Sequence, residues 1–319
     1  MSTENVNKIV VTGALGHIGS KVIRVLPVIF PGAEIVMIDN MVTQRFPSLF
    51  NLPSEGKYQF LEGDVLELDL NRVLDGADVV LHLAAITNAA GSFENKKQVE
   101  HVNYNATVRV AEACSQVQCS MIHLSSTSVY GTQKEIVDED CTPEELQPQS
   151  PYAETKLKEE KFLQNCGALG KFRFIICRFG TICGISPGMR FHTAVNKFCW
   201  QAVMDQPLTV WRTALDQKRP YLTLEDAVRA IAFIIKQDMF DGRIYNVLTT
   251  NKTVKDIFDI ISNHVSDTTV SYVDAKIMNQ LSYTVLNKRF MEMGFEFSGS
   301  LEREIADTIN LLSGSSRKN

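Results

Sequence analysis

The chain has 319 residues, of which 22% are charged, and a net charge of −5. This length favours about two lobes, and the charge lacks the basic footprint that nucleic acid or an anionic membrane would require. No apolar run has the length of a membrane span or a signal-peptide core, and the seven cysteines include no CxxC pair, so we expect a cytoplasmic protein without disulfides or metal.

Short β-branched runs alternate with helical patterns through the first half of the chain. The runs cover residues 8–12, 34–39, 58–64, 78–85 and 120–126, and a sixth covers 172–178. Near-continuous apolar runs are typical of strands buried on both faces, and the intervening helices imply right-handed crossovers. The sequence therefore predicts an α/β fold with a doubly wound parallel (Rossmann) sheet.

Two long helices are predicted beside these strands. Residues 95–118 carry apolar side chains at helical spacing, and a second helix begins at Pro151 with Ser150 as its N-cap. The pattern changes near residue 180. We predict a large domain over 1–180 and a smaller α/β substrate lobe over 181–319, with 224–247 partly returning to the large domain.

Three glycines, Gly13, Gly16 and Gly19, lie between the first strand and its helix in VTGALGHIGS. Glycines at such a turn let backbone N–H groups approach a pyrophosphate at the positive end of the helix. Asp39 ends the second strand, 20 residues after Gly19. Its carboxylate accepts hydrogen bonds from an adenosine ribose and repels a 2′-phosphate, which favours NAD over NADP. Asn40 is not a basic phosphate-binding residue either.

A proton relay is predicted at Tyr152 and Lys156, which are four residues apart near the start of a helix and so share one face. A cationic amine beside a phenol favours the phenolate, which is the form that a general base for an alcohol requires. Ser126 ends the fifth strand, at the sheet edge where doubly wound folds bind ligands, and can donate to the same substrate oxygen.

TGALGHIG, GDV at 63–65, HLAA at 82–85, SSTSVYG and YAETK together resemble the extended short-chain dehydrogenase/reductase family, in its nucleotide-sugar epimerase and dehydratase group. The resemblance covers nearly the whole chain. It implies that Ser126, Tyr152 and Lys156 are catalytic and that NAD is the cofactor. The predicted cofactor-binding residues are Gly13, Gly16, His17, Ile18, Gly19, Asp39, Asn40, Asp64, Val65, Leu83, Ala84, Ala85, Asn103, Ser125, Tyr152 and Lys156.

A nucleotide-diphosphate sugar is the substrate that this resemblance implies. Arg219 precedes the segment YLTLEDA, where relatives carry a phosphate-binding arginine, and guanidinium groups bind diphosphate oxygens in pairs. The predicted substrate-binding residues are Asn88, Thr127, Thr181, Arg190, Asn196, Arg212 and Arg219.

Two positions after Ser126 limit the chemistry. Relatives that eliminate water carry an Asp–Glu pair there, and relatives that decarboxylate a uronic acid carry a glutamate, whereas this chain has Thr127 and Ser128. Neither hydroxyl is an acid or a base near neutral pH. We therefore predict oxidation at the sugar C4 through a 4-keto intermediate, as in a 4-epimerase. The alternatives are a 4-dehydrogenase of the heptose type, a dehydratase and a non-catalytic NAD-binding sensor.

Members of the resembled family commonly form homodimers by packing two helices from each subunit into a four-helix bundle. The corresponding segments here are 95–118 and 151–166. Val99, Val110 and Leu163 are the residues that we predict at the seam.

Overall fold

The computed structural model describes residues 6–89, 91–131, 134–212, 214–273 and 282–315. Its strands are β1 (Lys8–Thr12), β2 (Glu34–Asp39), β3 (Lys57–Glu62), β4 (Val79–His82), β5 (Ser120–Ser126), β6 (Ile136–Val137), β7 (Phe174–Phe179), β8 (Thr181–Cys183), β9 (Leu208–Trp211), β10 (Lys218–Thr223), β11 (Ile244–Val247), β12 (Thr250–Thr253), β13 (Val270–Val273) and β14 (Thr284–Val285). Its helices are α1 (His17–Ile29), α2 (Leu70–Leu74), α3 (Lys96–Val117), α4 (Pro151–Ala168), α5 (Ala194–Val203), α6 (Leu224–Lys236), α7 (Val254–Ser262), α8 (Lys288–Glu292) and α9 (Leu301–Ser313).

A seven-stranded sheet in the order β11-β7-β5-β4-β1-β2-β3 forms the centre of the molecule. Every neighbouring pair in it is parallel. One apolar cluster lies between the sheet and helices α1 and α6, and a second lies between the sheet and helices α3 and α4. Burial on both faces explains the continuous apolar runs of the strands, and the predicted doubly wound parallel fold is confirmed.

A second group of elements comes from the later part of the chain. Strands β12, β10 and β8 form one small sheet and β13 and β9 another, and α5, α7 and α9 share an apolar cluster with them. The intervening segment 224–247 contributes α6 and β11 to the large sheet unit. The division at residue 180 stays a prediction. Within the described residues, no helix is both long and apolar enough to cross a membrane.

The end of β4 differs from the predicted run 78–85, because the strand stops at His82. The Leu83 N–H still donates to the Thr12 backbone oxygen at 3.1 Å, and the N–H groups of Leu83 and Ala84 also reach the Thr12 hydroxyl oxygen, at 3.1 and 3.2 Å. The chain therefore turns away at the carboxyl edge of the sheet, beside the glycine turn.

The dimer seam that we predicted is wrong in its residues. Val99, Val110 and Leu163 are at most 1% exposed. Val110 and Leu163 belong to the apolar cluster between the sheet and helices α3 and α4. The helical spacing identified the inward face of each helix, and this face is already covered within the subunit.

Helix α4 is held on the sheet by a buried ion pair. Glu160 accepts from the Arg178 guanidinium through both carboxylate oxygens, at 2.9 Å from Nε and 2.6 Å from Nη2, and both side chains are at most 2% exposed. Arg178 also donates to the Tyr130 hydroxyl at 2.9 Å. A paired charge is tolerated in the interior, whereas a lone one is costly.

Glu160→Gln tests this pair, because it leaves the Arg178 charge buried without its counter-charge. We expect the free energy of unfolding, measured by urea titration, to fall by about 3–5 kcal/mol. The matched control is Glu100→Gln, which breaks the half-exposed Glu100–Lys158 pair and should cost less than about 1 kcal/mol. Equal losses for the two variants would contradict this interpretation.

Candidate active site

The glycine turn between β1 and α1 packs directly on the end of β4. Gly13 has a φ of +64°, and a Cβ there would lie 2.7 Å from the Ala84 nitrogen. A Cβ on Gly19 would lie 2.5 Å from the Gly13 oxygen. Gly16 is the N-cap of α1, so the first helical N–H groups follow immediately. This side-chain-free cradle at a helix N-terminus fits a dinucleotide pyrophosphate.

Asp39 connects the end of β2 to that turn. Its carboxylate accepts from the backbone N–H groups of Leu15, at 3.0 Å, and Met41, at 3.1 Å. Asn40 donates to the Asp64 carboxylate at 3.0 Å. A carboxylate offers about four acceptor sites, so Asp39 keeps capacity for the ribose hydroxyls of a bound dinucleotide.

Asn103, on α3, holds the segment that follows β4. Its side-chain amide donates to the Ile86 oxygen at 2.9 Å and accepts from the Ile86 nitrogen at 2.7 Å. Together with the hydrogen bonds from Leu83 and Ala84 to Thr12, these two hydrogen bonds set the path of residues 83–86. The predicted cofactor residues Leu83, Ala84 and Ala85 thus lie beside the glycine turn.

Three further predicted cofactor residues serve mainly as packing or anchoring groups in the structure. Val65 is buried in the apolar cluster between the sheet and helices α3 and α4, and Ile18 is partly buried against the cluster between the sheet and helices α1 and α6. The His17 ring Nε2 lies 2.8 Å from the Gly184 oxygen. Burial lowers the pKa of His17 to about 4, so its ring is neutral.

The relay residues occupy the first two turns of α4. The Ser150 hydroxyl accepts from the Ala153 nitrogen at 3.2 Å, as the predicted N-cap does. The Lys156 Nζ lies 6.0 Å from the centre of the Tyr152 ring. Helix α4 packs against β5 and against the short turn that follows Ser126. The structure thus brings the helix with both relay residues to the carboxyl edge of β5.

A buried polar chain extends from Lys156 into the sheet. Lys156 donates to Glu159 at 2.8 Å, and the His123 Nε2 lies 3.2 Å from the same carboxylate. The His123 ring stacks on His82, whose Nδ1 lies 2.8 Å from the Thr12 hydroxyl. Burial opposes the charge on Glu159, but Lys156 outweighs it and lowers its pKa to about 2. Burial also disfavours the Lys156 ammonium, but Glu159 and Tyr152 raise its pKa above the usual value.

The four hydroxyl residues at the end of β5 have distinct partners. Ser125 donates to Glu160, and Thr127 donates to the Phe179 oxygen at 3.2 Å. Ser128 donates to the Ser126 oxygen through its own hydroxyl at 2.8 Å and through its backbone N–H at 3.1 Å. The Ser125 and Thr127 hydroxyls therefore bond inside the protein, while Ser126 and Ser128 form a pair that is partly exposed.

Residues 184–190, which we call the latch segment, lie on the glycine turn. The Ser186 hydroxyl donates to the His17 oxygen at 2.8 Å, and the Gly188 N–H donates to the Ser20 hydroxyl at 2.9 Å. A Cβ on Gly188 would lie 2.2 Å from the Leu15 oxygen. Only glycine allows this close approach, which places the later lobe directly against the cofactor cradle.

Arg190 ends the latch segment next to the relay. Its guanidinium donates to the Thr87 hydroxyl, and its Nε is buried without a hydrogen-bond partner among the described residues. Burial lowers the pKa of Arg190, the nearby Tyr152 acts against that shift, and Arg45 adds to it. The Asn196 side-chain amide donates to the Arg190 backbone oxygen at 3.1 Å and so fixes the end of the latch segment.

The remaining predicted substrate residues are spread around this edge. Arg219 lies on β10, with its guanidinium 5.9 Å from the Tyr283 ring, and the Tyr283 hydroxyl donates to the Thr127 oxygen at 3.4 Å. Thr181 pairs with β10 as the first residue of β8. The last two are exposed. Arg212 is exposed beside Tyr272, and Asn88 accepts from the Gly91 N–H.

Sequence reasoning missed Glu159, His123 and Thr87. Glu159 lies three residues after Lys156, which places both on one helix face. His123 and Ser125 are two residues apart in β5, which places both on one side of the sheet, the side that faces α4. That pattern was a usable signal. Thr87 carried none, because its partner Arg190 is 103 residues away.

The family model described as the NAD dependent epimerase/dehydratase family matches residues 9–247. The chain belongs to this family. It is therefore an NAD-dependent enzyme, and its glycine cradle and Asp39 fit that cofactor.

Individual relatives agree with the family assignment. The chain is 30% identical to the uncharacterized UDP-glucose epimerase YtcB of Bacillus subtilis over 75% of this chain and 76% of that protein. It is 25% identical to the dTDP-D-glucose 4,6-dehydratase of Bos taurus over 90% of this chain and 83% of that one. A structure of the UDP-glucuronic acid 4-epimerase from Bacillus cereus, in complex with UDP-glucuronic acid and NAD, superimposes with a TM-score of 0.83 and 26% identity over 96% of this chain and 99% of that one.

Buried histidines at the site make folding sensitive to acid. Burial lowers the pKa of His82 from 6.5 to about 3 and that of His17 to about 4. Between pH 6.5 and about 4 the unfolded chain therefore binds more protons than the folded one, so the free energy of unfolding falls as the pH falls.

His82→Gln should reduce that pH slope by about 1.4 kcal/mol per pH unit, the contribution of one proton, in urea titrations between pH 6.5 and 5. His101→Gln is the control, because His101 is exposed on α3 and its replacement should leave the slope unchanged. An unaltered slope for His82→Gln would show that its ring is protonated in the folded protein.

Proposed function

We propose that the chain is a nucleotide-sugar 4-epimerase. The observation that carries the proposal is the packing of α4, which carries Tyr152 and Lys156, beside the hydroxyl row Ser125–Ser128, which contains no carboxylate. Ser126, Tyr152 and Lys156 stand at the sheet edge beside the NAD cradle, and the next two positions are Thr127 and Ser128. This set can move a proton at the sugar C4 oxygen but has no additional acid or base for elimination or decarboxylation.

Tyr152 is the base for the C4 hydroxyl in this proposal. Lys156, held as an ammonium by Glu159, favours the Tyr152 phenolate electrostatically. Ser126 donates to the C4 oxygen. NAD supplies the hydride acceptor when it is bound. Tyr152, protonated by the first transfer, would return that proton to the C4 oxygen when the turned 4-keto sugar is reduced on its other face.

The two buried carboxylates of α4, Glu159 and Glu160, do not supply the missing acid. Glu159 has its pKa lowered to about 2 and is ionised, and Glu160 is paired with Arg178 through both oxygens. Both are fully buried. A dehydratase would need a carboxylic acid in contact with the substrate. The contacts of Glu159 and Glu160 therefore favour epimerisation over elimination.

A UDP-sugar is the substrate class that we propose, because YtcB and the Bacillus cereus enzyme are both described with UDP-sugars. Arg219 is our candidate for the diphosphate. Its guanidinium lies 5.9 Å from the ring of Tyr283, which contacts Thr127, so it is on the same side of the site as the hydroxyl row.

One observation favours an acidic sugar within this class. Arg190 is a partly buried residue near Tyr152, and its guanidinium Nε is buried and unpaired among the described residues. A carboxylate next to the reacting carbon would give that guanidinium a bidentate partner. UDP-glucuronic acid is therefore a candidate substrate together with UDP-glucose.

Incubating the protein with UDP-glucose, UDP-N-acetylglucosamine and UDP-glucuronic acid, followed by mass spectrometry and proton NMR, tests this function. We expect an isomer of unchanged mass. Tyr152→Phe should abolish turnover while NAD remains bound, because only the proton acceptor is removed. Loss of two hydrogens with NADH release would instead establish a dehydrogenase, and loss of water a dehydratase. Absence of any product would favour a non-catalytic NAD-binding role.

We also propose a homodimer formed through the outer faces of α3 and α4. Those faces carry cross-helix pairs, Lys96 with Glu154 and Lys158 with Glu100, around the partly buried Tyr104. Light scattering should give twice the chain mass of 35.7 kDa. A monomeric mass at micromolar concentration would exclude this assembly.

A cytoplasmic location is proposed as well. Six of the seven cysteines are buried, and all seven are free thiols. Unpaired thiols are typical of reducing compartments, which supports this location.

A further inference from the structure

The hydroxyl of Ser126 has both of its acceptor sites occupied by one neighbour. Ser128 donates to the Ser126 oxygen through its side-chain hydroxyl at 2.8 Å and through its backbone N–H at 3.1 Å. A serine hydroxyl has two acceptor lone pairs and a single donor proton. With both lone pairs used, Ser126 can only donate to a third group.

The local backbone makes this arrangement rigid. Ser126 is the N-cap of a short 3₁₀ turn over Thr127–Val129. Thr127 anchors the turn to the Phe179 oxygen on β7, and Val129 and Tyr130 are fully buried. Ser126 and Ser128 are the partly exposed members of the turn, so a ligand can reach the Ser126 hydroxyl.

We propose that Ser128 is a positioning residue that keeps Ser126 as a hydrogen-bond donor to the C4 oxygen of the sugar. The inference rests on the proposed function and deepens it. As the C4–H bond breaks and the hydroxyl proton moves to Tyr152, the C4 oxygen becomes a ketone oxygen, which only accepts hydrogen bonds. A Ser126 hydroxyl that can only donate always offers a hydrogen bond to this ketone oxygen, whereas a freely rotating hydroxyl offers one only part of the time.

The identity of residue 128 then selects among reactions. A carboxylate at this position would accept the Ser126 proton and turn it away from the substrate, because an ionised carboxylate is acceptor-only. A hydroxyl donates instead. Ser128 thus favours stabilisation of a carbonyl oxygen, which redox chemistry at C4 needs in both directions.

A double-mutant cycle tests whether Ser128 acts through Ser126. We expect Ser128→Ala to lower kcat about tenfold, equivalent to about 1.4 kcal/mol, with KM changed less than about twofold. In a Ser126→Ala background the same substitution should have no further effect. Ser128→Thr, which keeps the hydroxyl, should restore most of kcat. Multiplicative losses in the cycle, or a rise in KM alone, would show that Ser128 contacts the substrate directly and would overturn the proposal.

The rate constant for single-turnover formation of bound NADH is a second readout and should follow the same pattern, because any C4 oxidation produces NADH whether or not the product is an epimer. A chain that oxidises without epimerising would refute the proposed function and still decide the role of Ser128. Ser115→Ala is the control, since it removes a hydroxyl that donates to the Lys171 oxygen far from the relay. Its kcat should equal that of the wild type.

Crystal structures of the NAD complexes decide the question without turnover. We expect one Ser126 rotamer in the wild type and several in Ser128→Ala, because the two fixing bonds are reduced to one. An identical single rotamer in both proteins would overturn the proposal, even if no nucleotide sugar were converted.

Discussion

Two adjacent glutamates of α4 each pair with a buried cation at the interface between this helix and the sheet. Glu160 pairs with Arg178 on β7, and Glu159 pairs with Lys156 on its own helix and approaches His123 on β5. Buried charges are costly unless each is paired, so the helix is stable only where both requirements are met. The position of Tyr152 relative to the end of β5 depends on this constraint, as does the charge on Lys156.

The cofactor and substrate regions share one interface. The latch segment bonds to the glycine turn through Ser186 and Gly188, and it ends at Arg190 beside the relay. A shift of the glycine turn would therefore move Arg190 as well. Such direct contact is suited to an enzyme in which hydride leaves and returns within one closed site, because the sugar and the cofactor are then positioned by the same backbone.

Hydroxyl groups take the positions where some relatives carry carboxylates. Thr127 donates to the Phe179 oxygen on β7, and Ser128 donates to Ser126, so these hydroxyls tie the turn to the sheet and to the end of β5. The carboxylates on the facing helix are neutralised by Lys156 and Arg178. Under the proposed function, Tyr152 and Ser126 are then the groups that act at the C4 oxygen.

The sequence by itself determined the parallel sheet, the bounds of β1, β2 and β5, the N-cap Ser150 and the NAD cradle. Apolar periodicity records burial, and glycine and capping residues record local backbone geometry, so both are readable along the chain. Only the tertiary structure decided the partners of polar groups: Glu159 with His123, Thr127 with Phe179, and Arg190 with Thr87. It also showed that Val110 and Leu163 are covered within the subunit. Periodicity tells which face of an element is buried, but what covers that face depends on segments far apart in the chain.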